Sequence, residues 1–165
     1  MMVLARLIGT VFGAGYLRPA PGTWGSLAAL PLGWALHVLG GAQLLGAGIV
    51  VVFFAGWWAT RVMTDGQADH DPSEIVVDEV VGQWIALLAL SLPATRHGLD
   101  ITALWPGWIA AFVLFRLFDI WKPWLVGWAD RRGDALGVML DDVIAGVFAA
   151  SFVTLIGGTW HAVMG

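Results

Sequence analysis

The sequence predicts an all-α fold: a polytopic membrane helical bundle of about five spanning helices, some short or broken, plus an interfacial segment. Three observations carry that expectation. Hydrophobic residues make up 59% of the 165-residue chain and charged residues 12%, where a water-soluble domain carries about 25%. The apolar residues fall in runs separated by polar or Gly/Pro-rich breaks, the pattern of helices that satisfy their own backbone in hydrocarbon. Tryptophan (11) far exceeds tyrosine (1), and Trp collects where hydrocarbon meets water. The chain reads as a single domain, 1–165.

The elements follow in order. Residues 3–12 are apolar but too short to span. Met1 to Thr10 lacks a long apolar run with a small-residue cleavage site and reads as mature protein. Residues 13–26, GAGYLRPAPGTWGS, are expected as a loop. A first span runs from about Ser26 to Leu39, interrupted by Pro31 and Gly33, and Gly40-Gly41 makes a turn. The second, about Gln43 to Thr60, has no charge. After a polar loop the third runs from about Asp78 to Leu92, ended by Pro93. The fourth covers about Ile101 to Phe118. Residues 119–142 alternate polar and aromatic; Trp121, Trp124 and Trp128 mark an interfacial amphipathic stretch. The fifth span is expected from about Val143 to Trp160.

With five spans, Arg6, Arg18, Arg61, Arg116, Lys122, Arg131 and Arg132 share one side, and Arg96 alone lies on the other. The positive-inside rule makes the first side cytoplasmic, N-terminus included. The acids partition the same way, with Asp100 the exception, so the chemistry is expected at the cytoplasmic surface. The chain has no cysteine, which excludes disulfides, thiolate metal sites and a Cys nucleophile. Its formal charge of −4 argues against a nucleic-acid partner. Any anionic substrate must then be met by local cations or a metal.

Four segments on that side can carry chemistry. Asp78-Glu79 stands at the entry to the third span, where a helix dipole favours acids; two carboxylates against an apolar span point beyond that to function. In Arg116-Leu-Phe-Asp119-Ile-Trp-Lys122, spacing i, i+3, i+6 would put plus, minus and plus on one helical face, although Pro123 disfavours helix at Lys122. Asp141-Asp142 is expected at the entry to the fifth span, where Gly146 and Ala150 continue a small face that lets another helix approach. Hard oxygen ligands from several segments suit Mg²⁺ or Mn²⁺. Gly22, Thr23, Gly25 and Ser26, before the first span, offer backbone N–H groups and hydroxyls to an anion or cap the helix. His70, between Asp69 and Asp71, is expected to be a solvated loop residue. His37, His97 and His161 lie outside the cluster.

Together and in this order, PAPGTWGSLAALP, EIVVDEVVGQWIAL, FRLFDIWKPW and GVMLDDVIAGV resemble the phosphatidylglycerophosphatase A family. The resemblance covers about Gly13 to Ala150. It implies a Mg²⁺-dependent hydrolase of the bacterial inner membrane that removes the phosphomonoester of an anionic phospholipid, phosphatidylglycerophosphate. It also implies catalytic and metal roles among Asp78, Glu79, Asp119, Asp141 and Asp142, basic roles for Arg116 and Lys122, and phosphate contacts from Gly22, Thr23, Gly25 and Ser26. Tyr16-Leu17-Arg18 departs from the family pattern and adds Arg18 as a headgroup contact. The expected arrangement is Mg²⁺ on Asp78, Asp119 and Asp142, with Glu79 or Asp141 as further ligand or base. The alternatives are an ion or proton carrier and a non-catalytic structural membrane subunit.

Overall fold

The computed structural model describes residues 1–67 and 69–164, with side chains described through residue 158. Its helices are α1 (Met2–Gly9), α2 (Pro21–Thr64), α3 (Val77–His97), α4 (Trp105–Trp121), α5 (Leu125–Asp130) and α6 (Ala135–Met164), with short 3-10 turns at Ala14–Tyr16 and Ile101–Leu104. Among the described residues, four helical runs are long and apolar enough to cross a membrane: Pro21–Thr64, Val77–His97, Ile101–Trp121 and Ala135–Gly158.

The first of these runs makes two passes. Helical geometry breaks at Gly40 (φ −160°, ψ 22°) and Gly41 (φ 64°, ψ −158°); Gly41 takes a conformation closed to residues with a Cβ. Gly25 in one arm packs on Val76 and Gly56 in the other packs on Val77, both at the start of α3, while Gly41 lies against Thr95 near its end. The Ala42 N–H donates to Thr95 Oγ1 at 2.9 Å. The two arms are therefore antiparallel. At 1.5 Å per residue they are about 28 and 34 Å long, the first just short of and the second longer than a hydrocarbon core of about 30 Å, both within the range of about 17–25 residues that spanning helices use. The bundle thus makes the five passes expected.

Helix α3 is the central element. In its most apolar window 67% of residues are buried, against 11% in α2, 22% in Ile101–Trp121 and 50% in Ala135–Gly158, so α3 presents the least surface to lipid. Trp84 anchors it by donating from Nε1 to the Ala29 carbonyl at 2.8 Å. The α3–α6 contact is closer still. A Cβ on Gly146 would sit 2.4 Å from the Gly82 carbonyl oxygen, and one on Gly82 would sit 2.6 Å from the Asp142 carbonyl oxygen. Two glycines let the backbones touch, the small-residue packing of membrane helices.

Several boundaries differ from expectation. α2 begins at Pro21, because Pro is preorganised for the first helical position, so Gly22 to Ser26 are helical and not loop. α3 continues past Pro93 to His97 and ends at Gly98, φ 62°; a left-handed Gly closes a helix better than a Pro in its last turns. α6 begins at Ala135, preceded by Asp134, whose Oδ1 accepts from the Gly137 N–H at 2.7 Å, a side-chain N-cap. Asp141 and Asp142 therefore lie about two turns inside the helix and not at its entry. The interfacial stretch holds the short helix α5. Of the expected features near the C-terminus, the side chains of Trp160 and His161 lie outside the described residues.

Candidate active site

At the end of the bundle where α2 and α3 begin and α4 finishes, a cavity of about 290 Å³ opens. Asp78, Glu79, Arg116, Asp119, Lys122, Asp141 and Asp142 line it, together with Ala20, Pro21, Gly22, Asp71, Ser73, Ile75 and Ile120. The carboxylates that stand apart in sequence thus share one space. Its six acids against two cations leave a formal charge of −4, which repels an anion until a cation enters.

Asp78, Glu79 and Asp142 form the tightest group, each offering an oxygen within 4.8 Å of the others. Asp78 and Glu79 come from the first turn of α3 and Asp142 from α6, joined by the Gly82–Gly146 approach one turn deeper. Asp78 is 7% exposed and Asp142 2%. One oxygen of each carboxylate, Asp78 Oδ1, Glu79 Oε2 and Asp142 Oδ1, is buried without a hydrogen-bond partner. Buried carboxylate oxygens are normally paired or bound to metal. Three hard oxygens facing each other fit a divalent cation such as Mg²⁺.

Asp119 of the expected Asp78–Asp119–Asp142 set stands at the edge of this group of three, close enough for its carboxyl to interact directly with that of Asp142. It is on α4, and its Oδ2 pairs with Arg116 Nη1 one turn back. The α3 geometry adds Glu79 to the group, because adjacent residues at the helix start both reach the cavity. Arg116 also faces Glu79, with Nη1 to Oε1 at 3.8 Å, and donates to Ser26 Oγ at 3.4 Å. The guanidinium therefore ties α4 to α2 and α3.

Lys122 does not continue the face of Arg116 and Asp119. α4 ends at Trp121, and Lys122 takes a left-handed conformation, φ 49° and ψ 53°. Pro123 follows and disfavours helix at the residue before it. The ammonium turns toward Asp141 Oδ2, 2.6 Å away, and Asp130 Oδ1. Burial works against its charge, but Asp141 and Asp130 outweigh that and hold it protonated beyond the ordinary lysine range.

The Gly-rich segment serves mostly in packing. Gly22 lines the cavity, and a Cβ there would meet Glu79 Oε1 at 2.1 Å, so only glycine leaves room for that carboxylate. Gly25 packs on Val76. Ser26 is fully buried and donates to the Gly22 carbonyl at 2.9 Å, so its hydroxyl is engaged within α2. Gly25, Ser26 and Thr23 are not among the cavity-lining residues, because the helix turns them away. What this segment offers an anion is the N-terminus of α2, where Ala20, Pro21 and Gly22 reach the cavity; Pro21 carries no N–H, so the donor of the first turn there is the Gly22 N–H. Arg18 also lies off the cavity lining; its Nη1 donates to Ser73 Oγ at 3.3 Å on the surface.

Asp71 and Ser73 were not singled out from sequence, yet both line the cavity. They sit in the loop before α3, which is pinned by the Val76 N–H donating to the Gly9 carbonyl at 2.8 Å and by Gly15 against the Glu74 backbone. Only the Asp71-Pro-Ser-Glu run upstream of Asp78 hinted at them.

Comparison with known proteins identifies the family. The family described as Phosphatidylglycerophosphatase A matches residues 7–157. The chain belongs to the phosphatidylglycerophosphatase A family. It is 37% identical to phosphatidylglycerophosphatase A of Escherichia coli over 157 residues, 94% of this chain and 84% of that one. To phosphatidylglycerophosphatase A of Haemophilus influenzae it is 37% identical over 149 residues, 90% and 85% of the two chains. A Bacteroides thetaiotaomicron protein named as a putative phosphatidylinositol-3-phosphatase is 42% identical over 161 residues, 95% and 94%. No solved structure matches. As a member of the phosphatidylglycerophosphatase A family the chain is a phosphoric monoester hydrolase, and the acid-lined cavity is its candidate active site.

Proposed function

We propose that this protein hydrolyses the terminal phosphomonoester of phosphatidylglycerophosphate, releasing phosphatidylglycerol and phosphate, at the cytoplasmic face of the bacterial inner membrane with Mg²⁺. The observation that carries the reading is the convergence of Asp78, Glu79 and Asp142, with oxygens within 4.8 Å of one another and one unpartnered buried oxygen on each. The family membership supports the substrate. The cytoplasmic face follows from the cations: Arg61, Arg116, Lys122, Arg131 and Arg132 all flank the cavity end, whereas Arg96 stands at the far end of α3.

Asp78, Glu79 and Asp142 would hold the Mg²⁺. When bound, it supplies positive charge to the phosphate and lowers the pKa of a coordinated water. The chain's own groups do the rest. The Gly22 N–H in the first turn of α2 receives a phosphate oxygen at a helix N-terminus. Arg116, already braced by Asp119 and Ser26, adds a fixed guanidinium for the charge that spreads over the phosphoryl group. In the reaction a water oxygen bonds to phosphorus, the bond from phosphorus to the glycerol oxygen breaks, and that oxygen leaves with a proton. Exposed Ile120, Trp121, Trp124 and Trp128 beside the opening sit at the depth of the headgroups, so the lipid stays in its leaflet.

Purified protein in mixed micelles should release phosphate from phosphatidylglycerophosphate with Mg²⁺, stop in EDTA, and recover when Mg²⁺ is restored. Turnover of phosphatidylinositol 3-phosphate in place of phosphatidylglycerophosphate would reassign the headgroup. Release that ignores EDTA would remove the metal from the reading.

A further inference from the structure

We propose that the Lys122 ammonium is a built-in second cation, so that the centre takes one divalent ion and not two. The inference rests on the metal reading above and sets how many ions that site holds.

Three elements converge to hold this one ammonium. Lys122 is the residue that closes α4; Asp130 ends α5; Asp141 lies on α6. Nζ stands 2.6 Å from Asp141 Oδ2 and is paired with Asp130 Oδ1. The backbone is built for it. A non-glycine residue at φ 49° lies in a sterically costly region and persists where the surroundings impose it. Here α5 imposes it: Gly127 packs so closely on the Lys122 carbonyl that a Cβ would be 2.6 Å from that oxygen. The Lys122 N–H is bonded to the Phe118 carbonyl at 2.9 Å. A lysine that merely neutralised surface charge would need none of this.

The placement is that of a metal's neighbour. Asp141 directly precedes Asp142, and its Oδ1 accepts the Asp142 N–H at 3.0 Å. One oxygen of Asp141 is thus turned into the backbone beside the candidate metal group and the other to the ammonium. In two-metal hydrolytic centres the ions sit about 3.5–4 Å apart and clamp both reacting oxygens. Here Asp141, next in the chain to Asp142, and Asp130 on the outer side of Lys122 are already occupied by a positive charge from the chain. An ammonium has three N–H donors; two are engaged, and the third is available to the cavity that Lys122 lines. A phosphate drawn to the divalent ion would therefore meet a permanent cation on its other side, which binds without being lost to a chelator.

The test counts ions in substrate-free protein, with Mn²⁺ alone as the probe, by electron paramagnetic resonance of free Mn²⁺ and by metal analysis after gel filtration. The unmodified chain should bind one Mn²⁺. Lys122→Met frees Asp130 and Asp141, hard oxygen ligands that suit a divalent ion, and should bind a second Mn²⁺ about tenfold or more weaker than the first. Asp130→Asn, with Lys122 in place, should stay at one. Two ions on the unmodified chain would overturn the inference while leaving the metal reading intact, and this count needs no variant to fold. A Lys122→Met protein that keeps its first ion at unchanged affinity and gains no second would also overturn it. No ion on the unmodified chain would sink the metal reading, and this inference with it.

Discussion

A methyl group on Gly22 tests whether the position of Glu79 decides activity. A Cβ there lies 2.1 Å from Glu79 Oε1 and 3.1 Å from Arg116 Nη1. Carbon and oxygen in contact settle at about 3.3 Å or more, so the carboxylate must retreat by about 1 Å. The obstacle is the end of a side chain and not backbone, and Ala is a better helix former than Gly, so α2 should form as before. The displacement falls on one corner of the Asp78–Glu79–Asp142 group. Misplacing a reacting group by about 1 Å can cost on the order of 100-fold, or about 2.7 kcal/mol in the barrier. Gly22→Ala should therefore lose about that much phosphate release in mixed micelles at saturating Mg²⁺, while its melting temperature in detergent holds. Turnover within about threefold of the parent would show that the Glu79 carboxylate is not held where the reaction needs it. A collapsed melting temperature would show that Gly22 serves packing first.

Gly146→Ala meets backbone instead, 2.4 Å from the Gly82 carbonyl oxygen, and no side chain can move aside. It should lower stability in detergent by about 1–3 kcal/mol and weaken Mn²⁺ binding, because α6 carries Asp142 away from α3; parent-like stability would refute the backbone contact. Asp142→Asn removes a buried charge from among like charges, so the fold should persist by circular dichroism while Mn²⁺ binding and phosphate release fall together; full activity would take Asp142 out of the site. Trp84→Phe deletes the bond to the Ala29 carbonyl and should cost about 1 kcal/mol in unfolding from mixed micelles, with Mg²⁺ dependence unchanged; an altered Mg²⁺ dependence would mean the site is coupled to this anchor.

Much of the bundle was legible in the sequence because the bilayer imposes a simple rule: a span must be apolar and helical. That rule located five passes and the Gly40-Gly41 reversal. It failed at boundaries, where local chemistry decides. Pro21 starts a helix whose first turns read as a loop, and the Asp134 cap starts α6 two turns before the acids that seemed to open it. At the site, the acids were visible as charge against apolar spans, but their partners were not. Asp119 and Asp142 look alike in sequence; Arg116, one turn from Asp119, engages the first, and the Gly82–Gly146 contact delivers the second to Asp78. Asp71 and Ser73 carried almost no signal, because loop residues have no periodicity to betray the side they face.

Composition and charge placement by themselves determined that this chain lives in a membrane, crosses it about five times, and gathers its acids at one end. These follow from solvation, which acts on each residue nearly independently of the others. Which carboxylates face one another, which cation each acid meets, and why glycine stands at Gly22, Gly82 and Gly146 were decided only by the tertiary structure. Those outcomes depend on distances of a few ångströms between helices remote in the chain, set by how closely their backbones can approach.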